Sequence, residues 1–164
     1  MKEIIIPEDI ASLEEKYKLL ITQLKELLNR NEHELSNLSN LTSALNQTFN
    51  KISWVGFYLY DKEKLYLGPF QGKVACTTIE IGNGVCGTAA AKKETIVVPD
   101  VDKFPGHIAC DSESKSEIVL PLINKDGDLF GVLDLDSIEY NAFNETDKIF
   151  LEEICRFLVE EILI

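Results

Sequence analysis

Three of the four cysteines lie in or beside loops that the sequence predicts, and this placement suggests chemistry. Cys76 lies in KVACTT, Cys86 in NGVCGT and Cys110 in HIACDS. A filler thiol usually lies within an apolar run, whereas reversible oxidation needs an accessible thiolate and a second cysteine within reach. The pattern therefore indicates a thiol–disulfide site. The fourth, Cys155, shares an apolar helical face and is interpreted as core filler.

A metal site is the alternative use of these thiols. Structural zinc sites favour cysteine pairs separated by about two to four residues, and Cys76 and Cys86 are too far apart for that arrangement. Only His107-x-x-Cys110 has a ligand-like gap, and lone His107 is better interpreted as a hydrogen-bonding loop residue. The sequence therefore favours redox chemistry and no bound metal.

The turn that precedes Cys86 predicts a polarised environment. GNGVCGT runs from a glycine turn into a helix, so backbone N–H groups and the positive end of the helix dipole face the thiol. We expect this environment to lower the pKa of Cys86 or to hold an anion.

Carboxylates form the second group. In LFGVLDLDS, Asp134 and Asp136 point to one face of a strand, about 7 Å apart, together with Phe130. Glu117 opens the preceding strand. A solvated, acidic strand end is the simplest interpretation. In a pocket, such carboxylates would repel one another until a ligand ammonium separates them, or one would stay protonated and donate to an oxygen. Trp54 is either core or the aromatic wall of that pocket.

Helices at both ends position these residues. Ser12 with Glu15 fits a capping box. Apolar residues then recur at three-four spacing in two helices, at Leu13, Tyr17, Leu20, Leu24 and Leu27, and at Leu35, Leu38, Leu41 and Leu45. Both stripes serve the core or a subunit interface. Thr146 is the expected cap of a closing helix whose apolar positions are Phe150, Leu151, Ile154, Leu158 and Ile162.

The middle of the chain alternates like a sheet. WVGFYLY, LYLGPF, TTIEIGNG and TIVVPDV read as strands, and VCGTAAAKKE as a short helix. EIVLPLIN and LFGVLDLDS form the strongest hairpin signal, with Asp126-Gly127 as a two-residue turn. The fold class is α+β, with a mostly antiparallel sheet covered on one side and flanked by N-terminal and C-terminal helices. We expect one domain over 1–164, with leading helices in 1–50, sheet and loops in 51–140 and a closing helix in 144–164.

Composition limits the function. The 164 residues carry a formal net charge of −12, which disfavours nucleic acid and anionic membrane surfaces. No apolar run approaches the roughly 20 residues of a membrane span, and Pro7, Glu8 and Asp9 interrupt any signal-like stretch. The chain is expected to be cytoplasmic, where permanent disulfides are rare.

Together these motifs resemble the GAF-domain free methionine-(R)-sulfoxide reductases. The resemblance runs in order through ELSNLSNLTSALNQTF, SWVGFYLY, LGPFQGKVAC, IGNGVCGTAAA, FPGHIACDSESKSEIVLPL and GVLDLDS, nearly the whole chain. One departure is Ser53, where the family usually has Asn. The resemblance implies a homodimer that reduces free methionine-(R)-sulfoxide and rejects the peptide-bound form. A non-catalytic GAF module that binds a small molecule or senses oxidant is the alternative.

Residue roles follow from the same resemblance. It implies that Cys110 is the nucleophile and Cys76 the favoured resolving thiol, with Cys86 as the alternative. Trp54 would pack on the S-methyl group. Glu117, Asp134 and Asp136 would line the polar end, with Asp136 at the sulfoxide oxygen. The chain has no nicotinamide-binding or phosphate-binding signature. A dithiol, most plausibly thioredoxin, is therefore the expected reductant, with no bound cofactor.

Overall fold

An antiparallel sheet of six strands lies at the centre of the computed structural model, which describes residues 3–108 and 111–163. The strand order is β3-β2-β1-β6-β5-β4. The strands are β1 (Trp54–Tyr60), β2 (Lys64–Gln71), β3 (Thr78–Glu80), β4 (Ile96–Val98), β5 (Ser116–Ile123) and β6 (Leu129–Ser137). This arrangement confirms the predicted α+β class. Strands β1, β6 and β5 are neighbours in the sheet and carry the candidate site.

Four α-helices accompany the sheet in the described part of the chain: α1 (Leu13–Leu27), α2 (Glu34–Thr48), α3 (Gly84–Lys92) and α4 (Glu145–Phe157). The chain continues from α4 in a π-type turn, Leu158–Ile162, and a short 3-10 turn spans Val101–Lys103. None of the helices within the described residues has the length and apolar content needed to cross a membrane.

The helix starts follow from capping side chains. Ser12 caps α1, since its side chain accepts a hydrogen bond from the Glu15 N–H, which is one of the two bonds of the predicted capping box. The cap of α4 is Asn144, so the expectation of Thr146 was wrong. Asn144 accepts from the Asp147 N–H, and the Asp147 carboxylate accepts from the Asn144 N–H. This reciprocal pair satisfies two N–H groups at once, which Thr146, already inside the helix, could not do.

Both faces of the sheet are covered, in contrast to the predicted single covered face. The larger core joins α1, α2 and α4 to one face, and its members include Leu20, Leu38, Phe57, Leu120, Leu133 and Leu151. The second, smaller core lies between the other face and α3 with its flanking loops. Leu35, expected in the apolar stripe of α2, is 50% exposed. The candidate site belongs to the smaller core.

The β5–β6 hairpin has a longer connection than the predicted two-residue turn. Ile123 pairs with Leu129, which leaves the five residues 124–128 in the loop. The Asn124 side chain accepts hydrogen bonds from the N–H groups of Asp126 and Asp128, and this holds the longer loop in shape. Gly127 still takes the left-handed backbone that its position requires, with φ 83°.

A register shift beside this loop reverses one predicted orientation. Leu122 pairs with Gly131 and Ile123 with Leu129, so the strict alternation of β6 is broken at its start. Phe130 therefore packs with the helix-side core, whereas Leu129 lies with the smaller core. From Val132 onward the alternation holds, and the orientation expected for Asp134 and Asp136 is correct.

A buried charged network joins the N-terminal and C-terminal helices. Asp147 is fully buried and accepts a hydrogen bond of 2.7 Å from the Tyr17 hydroxyl. The Lys51 ammonium lies 2.7 Å from the same carboxylate and also donates to the Ala142 carbonyl. A buried carboxylate is stable only with such partners. The network thus fixes α1 and α4 beside the start of β1.

Candidate active site

Three central strands place the predicted polar residues in a row. Trp54 of β1 pairs with Asp136 of β6, and Asp136 pairs with Glu117 of β5. Two residues earlier in β6, and on the same face of the sheet, Asp134 lies opposite Gly56. Residues in register on one face lie within side-chain contact distance. The structure therefore brings Trp54, Glu117, Asp134 and Asp136 together, and sheet pairing holds them there.

Trp54 forms an aromatic wall at one end of this row. Its ring stacks on Phe70 at 5.5 Å and on Tyr58 at 6.0 Å between centroids. Gly56 allows this packing, because a Cβ at that position would lie 2.5 Å from the Trp54 ring. The indole N–H donates to the Lys73 carbonyl at 3.0 Å. The tryptophan is thus both buried in the smaller core and fixed as a wall of the site.

Helix α3 delivers Cys86 to the carboxylates. Gly87 lets the helix approach the end of β3, since a Cβ there would lie 2.3 Å from the Glu80 carbonyl oxygen. The Cys86 thiol, 4% exposed, donates to Asp134 Oδ2 at 3.3 Å. Burial and the nearby Asp134 and Glu117 carboxylates raise the pKa of Cys86 well above its ordinary value. The expected lowering by the helix start was therefore wrong.

The carboxyl groups are buried, so the simple interpretation of a solvated strand end was also wrong. Asp134 and Glu117 are 6% and 5% exposed. Burial first, and then their neighbouring carboxylates, raise the pKa of each well above the ordinary range. Burial also raises the pKa of Asp136 to about 6, partly offset by a hydrogen bond of 2.6 Å from the Ser114 hydroxyl. The site therefore retains protons on carboxyl groups near neutral pH.

One oxygen in this cluster lacks a partner. Asp134 Oδ1 is buried and makes no hydrogen bond to any residue within 3–108 or 111–163. Cys86, Glu117 and Asp134 each contribute one atom to a group whose members lie within 4.8 Å of one another. A buried cluster of acidic side chains, one of which has an oxygen without a hydrogen bond, is suited to bind a cation or a ligand that donates a hydrogen bond.

Cys76 lies in the connection between β2 and β3, which we call the Cys76 segment (residues 72–77). It is half-buried, packs against the smaller core and is disulfide-bonded, whereas Cys86 and Cys155 are free. The Tyr58 hydroxyl donates to the Cys76 carbonyl at 3.0 Å. Cys110, the expected nucleophile, lies outside the described residues.

A second loop, the Ser114 segment (residues 111–115), follows Cys110 in the chain and contributes Asp111 and Ser114 to the site. Lys73 of the Cys76 segment forms an ion pair with Glu113 and lies 3.9 Å from Asp111. The Lys73 and Glu113 side chains are exposed, and exposed ion pairs contribute little to stability. The two segments are thus joined across the site by a weak contact.

The cavity between these elements has a volume of about 40 Å³. That volume admits a few water molecules and is too small for an amino acid. Its lining combines apolar and acidic side chains, among them Trp54, Tyr58, Val85, Cys86, Ile108, Glu117, Asp134 and Asp136. The structure with Cys76 in a disulfide therefore has a small cavity at the site.

His107 and Cys155 occupy different places. His107 lines the cavity, with Nε2 3.7 Å from Glu117 Oε2, and burial lowers its pKa, which favours the neutral imidazole. Cys155 is buried in the helix-side core, which confirms its interpretation as filler.

Sequence reasoning missed two residues of the site, Tyr58 and Ser114. The alternation of β1 places Tyr58 on the same face as Trp54, so this signal was present in the sequence. The Ser114 contact depends on the path of a loop between distant elements, and no periodic pattern indicates it.

Comparison with known proteins agrees with this architecture. Residues 34–162 match the GAF domain, and the chain belongs to the GAF domain family. It is 53% identical over 149 residues to the GAF domain-containing protein A of Dictyostelium discoideum, which covers 90% of this chain and 93% of that protein.

Within the family, the chain is closely related to free methionine-R-sulfoxide reductases. It is 46% identical over 152 residues to the free methionine-R-sulfoxide reductase of Saccharomyces cerevisiae, covering 88% of this chain and 84% of that enzyme. The structure of the Neisseria meningitidis free methionine-R-sulfoxide reductase in complex with its substrate superposes with a TM-score of 0.90. That comparison gives 41% identity and covers 96% of this chain and 93% of the other.

Proposed function

We propose that this protein reduces free L-methionine-(R)-sulfoxide to L-methionine by thiol chemistry. The observation that carries the proposal is the row of Trp54, Asp136 and Glu117 across β1, β6 and β5, with the disulfide-bonded Cys76 in a loop above it. The relationship to enzymes named free methionine-R-sulfoxide reductases supports the same substrate.

Substrate recognition follows from the chemistry of the two ends of the site. Trp54 packs on the S-methyl group, because it is the aromatic wall at one end of the site. Stacking on Phe70 and the hydrogen bond to the Lys73 carbonyl hold its ring in place. Glu117 and Asp134 accept the substrate ammonium, which provides the positive charge that two buried carboxylates need. Asp136 faces the sulfoxide oxygen. A peptide-bound methionine sulfoxide lacks the ammonium and leaves the buried carboxylates unpaired, so it is rejected.

Reduction begins when the Cys110 thiolate attacks the sulfoxide sulfur. The sulfoxide oxygen must be protonated as its bond to the substrate sulfur breaks, and Asp136 supplies this proton because its pKa is raised to about 6. The oxygen passes to the cysteine sulfur. Methionine leaves, and Cys110 is left as a sulfenic acid.

Resolution uses a second cysteine. The Cys76 thiol attacks the Cys110 sulfenic acid, a disulfide forms and water is released. The presence of Cys76 in a disulfide, with Cys86 and Cys155 free, favours Cys76 over Cys86 for this step. Cys86 is also buried beside a carboxylate that keeps its proton in place. An external dithiol of the thioredoxin type then reduces the disulfide, and no bound cofactor is required.

Substrate entry requires the site to expand. The cavity of about 40 Å³ cannot admit methionine sulfoxide while Cys76 is disulfide-bonded. Reduction releases this bond, after which the weak contacts of Lys73 with Glu113 and Asp111 still link the Cys76 and Ser114 segments. We therefore propose that the reduced form opens by separation of these segments and that the oxidised form is closed to substrate.

The proposed unit is one domain over residues 1–164 that works as a cytoplasmic homodimer. Tyr17 of α1 donates to the buried Asp147 of α4, so the leading helix packs into the same core as the rest. Leu35 of α2 is half exposed and fits the expected role of the leading helices in a subunit interface. Sedimentation of the wild type and of Leu35→Glu tests this: the substitution should shift a dimer toward monomer.

An assay with separated epimers tests the function. Free methionine-(R)-sulfoxide, free methionine-(S)-sulfoxide and N-acetyl-methionine-(R)-sulfoxide are offered under a thioredoxin system. We expect turnover of the free R form alone. Saturable binding of the free R form without methionine release would instead favour the non-catalytic binding module. Equal turnover of the N-acetylated form would contradict the proposed role of the buried carboxylates.

A further inference from the structure

We infer that Cys86 Sγ, an Asp134 carboxylate oxygen and a Glu117 carboxylate oxygen form a binding site for Zn²⁺. All three residues are buried and lie on the floor of the cavity, on α3, β6 and β5 respectively. Cys86, Glu117 and Asp134 do not have the sequence spacing of a zinc site, because they come together only through the fold. The sequence predicted no bound metal: it paired Cys86 with Cys76 and His107 with Cys110, and did not bring Cys86 together with the two carboxylates.

The geometry fits a tetrahedral ion with one free position. Zinc–sulfur and zinc–oxygen bonds of about 2.3 and 2.0–2.2 Å place tetrahedral ligand atoms about 3.5 Å apart. Cys86 Sγ lies 3.3 Å from Asp134 Oδ2, and all three candidate ligand atoms lie within 4.8 Å of one another. Small side-chain rotations would bring the three ligand atoms to this tetrahedral spacing. Because all three residues line the cavity, a fourth ligand such as water could reach the ion from it, as in sites that keep an exchangeable ligand.

The donor set favours zinc over harder cations. A thiolate with two carboxylates suits Zn²⁺, whereas Ca²⁺ and Mg²⁺ prefer six or more oxygens. Binding replaces the proton that the Cys86 thiol now donates to Asp134, so the thiol becomes a zinc-bound thiolate and the proton is released. The buried Asp134 Oδ1, without a partner among the described residues, independently indicates that the site can accept a cationic or proton-donating ligand.

The functional consequence is inhibition. Zinc would occupy the carboxylates to which the proposed function assigns the substrate ammonium, so Zn²⁺ and methionine sulfoxide should compete. This consequence rests on the proposed function, whereas the metal site itself does not. The thiol ligand of the proposed zinc site is Cys86, which is free, and the disulfide-bonded Cys76 is not part of the site. Zinc can therefore bind while the disulfide is formed.

Cobalt binding to the disulfide form tests the site. With Cys76 oxidised, the described free thiols are Cys86 and Cys155, so a thiolate-to-Co²⁺ absorption band reports on these two. We expect one Co²⁺ per chain with a thiolate band and tetrahedral visible bands, displaced by Zn²⁺. The control Cys155→Ala should keep the band and Cys86→Ala should lose it. Asp134→Asn and Glu117→Gln should weaken Co²⁺ binding by on the order of 10–100-fold.

Two results would overturn the inference: absence of a thiolate band in the folded disulfide form, or its survival in Cys86→Ala. If Cys86→Ala fails to fold, Glu117→Gln decides the matter, since unchanged Co²⁺ affinity there would also refute the site. Activity is measured separately in EDTA. Sulfoxide reduction without Co²⁺ binding refutes the metal site alone, and Co²⁺ binding without sulfoxide reduction refutes the proposed function alone.

Discussion

The Tyr58 hydroxyl donates a 3.0 Å hydrogen bond to the Cys76 carbonyl and so ties the floor of the site to the backbone of the loop cysteine. Tyr58 is 1% exposed and lies on the central strand β1, a rigid support. Desolvation by burial raises the pKa of its hydroxyl, followed by the effect of Asp134, so the group stays a proton donor. Tyr58 is thus a positioning residue for the proposed resolving thiol.

Removal of this hydroxyl should slow disulfide closure. A single neutral hydrogen bond contributes about 1 kcal/mol, which corresponds to an approximately five-fold change in rate if the bond orders the loop for attack. We expect Tyr58→Phe to form the disulfide about five-fold more slowly after one equivalent of methionine-(R)-sulfoxide. Stopped-flow and quenched thiol counts measure this. Tyr66→Phe, an exposed tyrosine of β2, is the matched control and should close at the wild-type rate.

Much of this site could be predicted from sequence because it lies on regular elements. The alternation of β6 put Asp134 and Asp136 on one face, and the cysteine motifs marked the loops. The pKa of Cys86 was predicted with the wrong sign, because the prediction considered the helix start and did not include the carboxylates that the fold places beside the thiol. Tertiary proximity of this kind is absent from local sequence.

In the fold, too, the regular elements could be predicted from the sequence, whereas contacts that depend on individual side chains could not. The sequence patterns indicated every α-helix and strand within the described residues, although β3 and β4 bury one residue each. The errors fall where side-chain contacts compete with periodicity. Asn124 lengthened a turn, Asn144 replaced Thr146 as a cap, and the register shift at Ile123 turned Phe130 toward the helices.

Neutralising Asp136 should stabilise the protein above neutral pH. The folded-state pKa of Asp136 is raised from 3.8 to about 6, so its stabilising contribution is complete below about 4 and is lost as pH rises through 6. Asn mimics the protonated acid and can still accept from Ser114. We expect Asp136→Asn to gain up to about 3 kcal/mol in the free energy of unfolding at pH 8 relative to wild type, and little at pH 4.

Urea titrations of the reduced proteins at pH 4, 6 and 8 measure this. Asp126→Asn, in the exposed hairpin loop, serves as the control. The same Asp136→Asn protein should lose sulfoxide reduction, since it cannot supply the proton. A gain in stability that is independent of pH would contradict the burial of this carboxyl as the cause.

Lys51 should matter far more to stability than a surface lysine. It lies 2.7 Å from Asp147, whose side chain is fully buried, so Lys51→Met would leave that carboxylate with an uncompensated charge. We expect a loss of about 3–5 kcal/mol in the free energy of unfolding, measured by urea denaturation. Lys18→Met, which breaks the exposed pair with Glu14, should leave the free energy of unfolding almost unchanged. Equal losses in the two variants would show that burial of the pair is not the determinant.

The most direct test of the account counts thiols against methionine. Reduced protein is mixed with a limiting amount of free methionine-(R)-sulfoxide, without an external reductant, and both products are quantified. We expect two thiols lost for each methionine released by the wild type, no methionine from Cys110→Ser, and one trapped sulfenic acid for each methionine released by Cys76→Ser. Normal methionine release by Cys110→Ser, or thiol loss without methionine, would contradict it.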